Sequence, residues 1–236
     1  DTESIVITQD ITVPVAGINA PSTTILTCSV TSINLTATGG GSYSWSDGLN
    51  VVGTSAMLNV TAPGTYTVTV TSANGCTDTE SIVITQDITV PVAGINTPTT
   101  TILTCSVTSI NLTATGGGSY SWSDGINIIG TSATLNVTSP GTYTVTVTSA
   151  NGCTDTESIV ITQDITVPVA GINAPSTTIL TCSVTSINLT ATGGGSYSWS
   201  DGLNVVGTSA MLNVTAPGTY TVTVTSANGC TDTESI

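Results

Sequence analysis

The sequence repeats with a period of 77 residues: the string DTESIVITQDITVPVAGIN begins at Asp1, Asp78 and Asp155, and DTESI begins again at Asp232 and runs to Ile236. A period of this length restricts the chain to an array of equivalent small domains, because each unit is large enough to bury a core and meets much the same surroundings as the next. The first and third copies are identical, and the second departs at seven positions: Thr97 for Ala20, Thr99 for Ser22, Ile126 for Leu49, Ile128 for Val51, Ile129 for Val52, Thr134 for Met57 and Ser139 for Ala62. All seven exchanges are mild in size and polarity.

Within each copy the apolar residues recur every second position, which is the strand period. In Gly64 to Ser72, Tyr66, Val68 and Val70 share one face while Thr65, Thr67, Thr69 and Thr71 share the other. Ser32 to Thr38 alternates in the same way, and Ser42 to Ser46 places Tyr43 and Trp45 together. Further strands are expected at Val15 to Ile18, Ile25 to Cys28, Leu49 to Val52, Ala56 to Thr61 and Thr79 to Gln86. The exchange of Met57 for Thr134 sets the phase of the Ala56 strand, with Leu58 and Val60 inward. Gly39 to Gly41, Ser46 to Gly48, Ala62 to Gly64 and Ala73 to Gly75 separate the strands, and Asn74-Gly75 predicts a two-residue type I′ hairpin turn. Seven or eight short strands per unit predict an all-β chain of two-sheet sandwiches. The expected core of each centres on a Trp and a Tyr: Trp45 and Tyr66, Trp122 and Tyr143, Trp199 and Tyr220.

The phase of the domains differs from the phase of the numbering. Thr79 to Gln86 pairs naturally with Thr65 to Ser72, so the expected domains are 10–86, 87–163 and 164–236. Residues 1–9 are then the last strand of a preceding repeat, and the third domain lacks the end of its own last strand. DTESI at both ends is better explained by a window on a longer covalent array than by strand donation between separate subunits, so we expect the polypeptide to continue in both directions. The junction Gln86 to Val92 has no Gly/Ser spacer, and Pro91 holds Val90 extended, which predicts a stiff array.

Charge narrows the function. The chain has no Lys, Arg or His against 14 Asp plus Glu. Without side-chain cations it cannot displace the counterions of a nucleic acid, and it lacks the imidazole, lysine and arginine chemistry of most enzymes and zinc sites. We expect no enzyme and no catalytic or cofactor-binding residues. No apolar run approaches the roughly 20 residues that span a bilayer.

Three stretches, GTYTVTVTSANGCTDTESIVITQDIT from Gly64 to Thr89, SYSWSDG from Ser42 to Gly48 and TILTC from Thr24 to Cys28, give the unit a family resemblance. It resembles the immunoglobulin-like, PKD-like repeats of very large secreted surface proteins of Bacteroidota, including gliding and attachment adhesins exported by the type IX system. That resemblance covers every repeat and implies an extracellular, cell-surface structural protein. Trp45 on the third main strand and Tyr66 at the position of a tyrosine corner match immunoglobulin-like sandwiches in general. Cys76 departs from them, since it follows a turn and would staple a domain end.

Six cysteines fall two per repeat: Cys28 and Cys76, Cys105 and Cys153, Cys182 and Cys230. Two pairings follow from the spacing, one within a unit across 48 residues and one between units across 29. The first is intradomain in the frame above and is the one expected. Disulfides imply an oxidising compartment and hence secretion. Two sulfurs without His or a CxxC pair make a poor zinc site. Calcium at domain junctions is a weaker candidate, through Asp87, Asp78 and Glu80, although no DxDxDG-type loop is present. The Thr65 to Thr71 ladder admits an ice-binding reading, but Thr is a good strand former and keeps an uncharged sheet in water. Asn34 and Asn59, with Asn111, Asn136, Asn188 and Asn213, match the N-glycosylation pattern; in a bacterial protein we expect them mostly unmodified.

These features predict the stalk or shaft of an extracellular filament or adhesin, its partners being further copies of the repeat, lateral fibre contacts or surface glycans. The alternatives are a carbohydrate-binding module repeated for avidity, using Tyr43 and Trp45, and a fibre assembled by strand donation between subunits.

Overall fold

A computed structural model describes residues 1–19, 21–173 and 175–236. By contact the chain forms two compact units, one of residues 1–92, 116–119 and 147–155, the other of 93–115, 120–146 and 156–236. The described residues contain only strands and connecting segments, with no helix long and apolar enough to cross a membrane.

In the first unit the first repeat folds as eight strands: β1 (Gly17–Asn19), β2 (Ile25–Thr27), β3 (Ile33–Thr38), β4 (Ser42–Ser46), β5 (Val51–Gly53), β6 (Met57–Val60), β7 (Gly64–Thr71) and β8 (Thr77–Asp87). They build a three-stranded sheet, β1-β3-β6, and a five-stranded sheet, β2-β8-β7-β4-β5. This is the immunoglobulin-like division into two facing sheets. Alternation decides which side chains meet between them. Leu35, Trp45, Val68 and Val70 are fully buried, with Ile33, Leu58, Val60 and Ile84 around them. Trp45 donates its indole N–H to the Ser55 carbonyl at 3.0 Å, and the Tyr66 hydroxyl donates to the Ala62 carbonyl at 3.0 Å. The second contact is a tyrosine corner, which ties the start of β7 to the turn before it.

The outer face of the larger sheet is hydroxylated. Register places Ser42 beside Thr71 and Thr77, Ser44 beside Thr69 and Thr79, and Ser46 beside Thr67 and Ser81. On the other sheet Asn59 donates to Asn34 across β6 and β3 at 2.8 Å, so the two glycosylation-pattern asparagines bond each other at exposed positions.

One pairing is parallel. β2 runs along the C-terminal end of β8, with Ile25 opposite Thr85, Leu26 opposite Gln86 and Thr27 opposite Asp87. The β7–β8 connection also differs from the expected turn. Only Gly75 has a left-handed φ there, +82°, and Asn74 does not. Gly75 N–H donates to the Ser72 carbonyl and Ser72 N–H to the Cys76 carbonyl, each at 2.9 Å, which makes a three-residue loop closed by the glycine in place of a type I′ turn.

The second repeat supplies β9 (Gly94–Asn96), β10 (Ile102–Thr104), β11 (Ile110–Thr115), β12 (Ser119–Ser123), β13 (Ile128–Gly130), β14 (Thr134–Val137), β15 (Gly141–Thr148) and β16 (Thr154–Asp164). β14-β11-β9 form its smaller sheet, and β10 runs parallel to β16 in the same register as β2 to β8. Trp122 is fully buried and Tyr143 nearly so. The positions that vary between repeats avoid the core: Leu49, Val51, Val52, Met57, Ser22 and Ala62 are exposed, and Ala20 lies outside the described residues.

The third repeat has seven strands: β17 (Gly171–Asn173), β18 (Ile187–Thr192), β19 (Ser196–Ser200), β20 (Val205–Gly207), β21 (Met211–Val214), β22 (Thr221–Thr225) and β23 (Thr231–Ser235). Its sheets are β17-β18-β21 and β20-β19-β22-β23. Trp199 is fully buried, whereas Tyr220 is only half-buried while donating to the Ala216 carbonyl at 3.0 Å. Residues 179–181, the counterparts of β2, form no strand.

Candidate functional site: the stapled junction between repeats

The cysteines pair in neither of the two expected ways. Cys28 bonds Cys153 and Cys105 bonds Cys230, each across 125 residues of sequence and 5.0 Å between Cα atoms. Each bond joins the first cysteine of one repeat to the second cysteine of the next. Cys76 and Cys182 are unpaired.

The parallel strand explains the correction. Cys28 follows Thr27, which lies opposite Asp87 at the end of β8, whereas Cys76 precedes Thr77 at its beginning. Ten strand residues hold these ends about 33 Å apart. A disulfide needs its Cα atoms within about 7 Å, so Cys28 and Cys76 of one sandwich cannot meet. Cys76 does sit at a domain end, and its counterpart Cys153 staples that end to the preceding repeat.

Polar contacts position the staple from both sides. The Thr27 hydroxyl accepts the N–H groups of Ser29 and Val30 at 3.2 and 3.0 Å and meets the Ser29 hydroxyl at 3.1 Å. Thr27 N–H donates to the Val30 carbonyl at 2.9 Å. This turn presents Cys28 outward. Opposite it, the Ser149–Cys153 loop offers the Asn151 carbonyl, which accepts both the N–H and the hydroxyl of Ser29 at 3.3 Å. Asn151 also grips the linker, its amide donating to the Asp87 carboxylate at 3.1 Å and to the Thr89 carbonyl at 3.0 Å. Its own side-chain oxygen accepts the Cys153 N–H at 3.0 Å. One residue thus holds the preceding repeat, the linker and the cysteine.

Gly152 fits this site for two reasons. Its φ is +80°, and a Cβ there would lie 2.6 Å from that of Ser29. The Cys105–Cys230 junction repeats each contact, with Ser106 on the Asn228 carbonyl at 3.3 Å and Asn228 on Asp164 at 3.1 Å and Thr166 at 3.0 Å. The Asp87 carboxyl is held below the usual carboxylate range, first by the Thr89 N–H, then by the Thr89 hydroxyl and the Asn151 amide. Asp10 and Asp164 are lowered by the same three kinds of donor.

Other sequence candidates lie elsewhere. Asp78 stands near the start of β8, where its carboxylate accepts the Ala16 N–H at 2.9 Å, and Asp87 stands at the far end. Asp78, Glu80 and Asp87 therefore do not converge on one calcium site. Among the described residues no three His, Cys, Asp or Glu side chains cluster as metal ligands. Trp45, Trp122 and Trp199 are fully buried, which removes them as stacking platforms for a sugar, and Tyr43 is half-buried against the core. Sequence reasoning missed Ser29 and Thr27, which carry no motif, and read Asn151, the counterpart of Asn74, only as a turn residue.

No family model matches the chain, and no curated protein matches it. Solved structures do. The chain resembles a Ca2+-stabilised adhesin that helps an Antarctic bacterium reach out and bind ice, with a TM-score of 0.58 and 15% identity over 96% of this chain and 73% of that one. A structure concerning the host cell surface retention of a 1.5-MDa bacterial ice-binding adhesin aligns over 96% of this chain and 97% of its own, at TM-score 0.48 and 12% identity. Immunoglobulin domains 1–5 of Sidekick-1 align over 93% of this chain and 57% of theirs, at TM-score 0.35 and 11% identity. At these identities the first likeness shows the fold alone: the chain is a tandem array of immunoglobulin-like β-sandwiches.

Proposed function

We propose that this chain is a stretch of the shaft of an extracellular filament or cell-surface adhesin, built from repeats framed at 10–86, 87–163 and 164–236, each preceded by the last strand of its neighbour. The observation that carries this reading is the disulfide between successive repeats, because it adds a covalent link in parallel with the peptide linker. Bonds that cross from repeat to repeat serve a chain under tension, and they persist only in an oxidising compartment, which supports secretion. The fold likeness to an adhesin that reaches out from its cell points the same way. The role is structural and non-enzymatic, with Bacteroidota and type IX export as the source that the repeat motifs favour.

Pulling on a polyprotein of these repeats tests it. From each staple the shortest covalent path runs forward from the second cysteine of one repeat to the first of the next, 29 residues, and then through that cysteine's own bond, so that it covers two repeats. A fully unfolded oxidised array then extends to about 55 Å per repeat and a reduced one to about 270 Å. Equal extension in both states overturns the tension-bearing role. Negative-stain images of native material should show beaded or fibrous objects, and compact isolated particles would count against a shaft.

A further inference from the structure

The loops of both stapled junctions carry an Asn-Gly pair, Asn151-Gly152 and Asn228-Gly229. We infer that each is a deamidation site, that the closed junction holds the reaction off, and that the carboxylate formed once a junction opens opposes its re-closure. This goes beyond the shaft reading and stands without it.

A glycine after the asparagine favours the reaction because no Cβ hinders the approach of its nitrogen. The Gly152 nitrogen attacks Cγ of Asn151, the bond from Cγ to Nδ2 breaks, and the amide leaves as ammonia with the proton given up by the glycine nitrogen. Water then opens the five-membered imide. Breaking the bond to Cγ gives aspartate, and breaking the bond to the main-chain carbonyl carbon gives isoaspartate, with one more atom in the backbone. In sum, one amide and one water become one carboxylate and one ammonium ion. Nothing is oxidised or reduced, and the co-reactant is the solvent.

The closed junction ties the groups that this reaction must free. Gly152 N–H donates to the Ser149 carbonyl at 2.9 Å, which holds the nucleophile. Nδ2 of Asn151 donates to the Asp87 carboxylate at 3.1 Å and to the Thr89 carbonyl at 3.0 Å, so both hydrogens of the leaving group are engaged. Oδ1 accepts the Cys153 N–H at 3.0 Å and the Ser149 hydroxyl. Cys153, the residue after Gly152, is bonded to Cys28. The side chain reaches the glycine nitrogen only by giving up these bonds, which takes a local opening. Asn228 is locked alike, with Asp164 at 3.1 Å, Thr166 and the Cys230 N–H at 3.0 Å, and Gly229 N–H on the Ser226 carbonyl at 2.9 Å.

Conversion reverses the grip. An aspartate at 151 keeps the oxygen that meets Cys153 and Ser149, but its second oxygen stands where the amide stood, 3.1 Å from the Asp87 carboxylate and 3.0 Å from the Thr89 carbonyl. Both facing groups are acceptors, and one is a like charge. The chain has no Lys, Arg or His to neutralise the pair. At such a separation two unit charges repel enough to shift an equilibrium about tenfold even in water. Isoaspartate also moves Cys153 relative to residue 151, by lengthening the backbone between them. A junction left open in water is therefore marked, and the mark resists closing.

Peptide mapping by mass spectrometry, after long incubation at mildly alkaline pH, reads conversion at Asn151 and Asn228. Both should convert at least about tenfold more slowly in the oxidised protein than in the same protein reduced, alkylated and unfolded in urea, with the reduced, alkylated protein without urea in between. Equal rates in the oxidised and unfolded states would overturn the lock, and equal rates in the oxidised and reduced folded states would overturn its release by opening. Asn151→Asp should shift the Cys28–Cys153 bond about tenfold toward its thiols in a glutathione buffer, with Cys105–Cys230 as the unchanged standard in the same chain. Adding Asp87→Asn should restore the bond, since its amide donates to the new carboxylate while its oxygen still accepts the Thr89 N–H that Asp87 accepts at 3.1 Å. A variant bond as stable as the wild type, or one weakened without rescue by Asp87→Asn, would overturn the opposition to closing. None of these results bears on extension per repeat, which tests the shaft reading separately.

Discussion

Ile25-Leu26-Thr27 and Ile179-Leu180-Thr181 are the same tripeptide in identical repeats, yet the first is a strand with a buried leucine and the second is not. The difference lies in the neighbouring strand: β8 runs from Thr77 to Asp87 and lies beside Ile25–Thr27, whereas β23 covers Thr231–Ser235 and pairs with β22 alone. A three-residue edge strand has too few hydrogen bonds to form unaided, and it exists only along a partner. The same contrast runs through the loops: Cys153 is 1% exposed at a closed junction, and Cys76, in the same loop sequence, is half-buried and unpaired.

The contrast can be broken most strongly at the staple. Cys28→Ser should cost about 5 kcal/mol on the chain-entropy estimate for a loop of this length, seen as a urea midpoint between those of the oxidised and the fully reduced wild type, since Cys105–Cys230 remains. Ile84→Ala should make the first repeat behave like the third, costing about 3 kcal/mol and speeding amide exchange at Leu26. The comparison sharpens in reverse if Val-Ile-Thr-Gln-Asp is appended after Ile236: Leu180 should then gain exchange protection approaching that of Leu26. Gly152→Ala should cost about 2 kcal/mol, combining left-handed strain with the approach to Ser29, whereas Gly75→Ala should cost about 1 kcal/mol because only the strain applies. Urea titrations of the two variants read the difference.

The smallest effect is that of acid. Asp10, Asp87 and Asp164 sit below the ordinary carboxylate value of 3.8 when folded, so their contribution is present above that value and is lost as pH falls through the lowered one. Stability should be flat at neutral pH and fall below about pH 4. Asn151→Ala should reduce the acid dependence at the first junction, and a rise in stability below that pH would reverse the assignment.

Much of this was legible beforehand. Tyr66, Val68 and Val70 alternate with threonines, so β7 and its inward face follow from period alone, and the exchange of Met57 for Thr134 marks the outer face of β6. The type I′ turn at Asn74-Gly75 failed because the Asn74 side chain accepts the Cys76 N–H and its amide holds Asp10 and Thr12, favouring a longer loop in which only the glycine turns left-handed. The cysteine pairing failed for another reason. Identical repeats make every cysteine of a class equivalent, so spacing cannot distinguish partners within a unit from partners in the next.

By itself, then, the sequence determined the all-β class, the 77-residue unit, the inward faces and the want of cationic chemistry, because these depend on residue type and local period. The tertiary structure alone decided that β2 runs parallel to the far end of β8. That pairing carries Cys28 about 33 Å from Cys76 and to within 5.0 Å of Cys153. Strand pairing between residues about sixty positions apart leaves no local trace, and it is fixed only when two sheets close over one core.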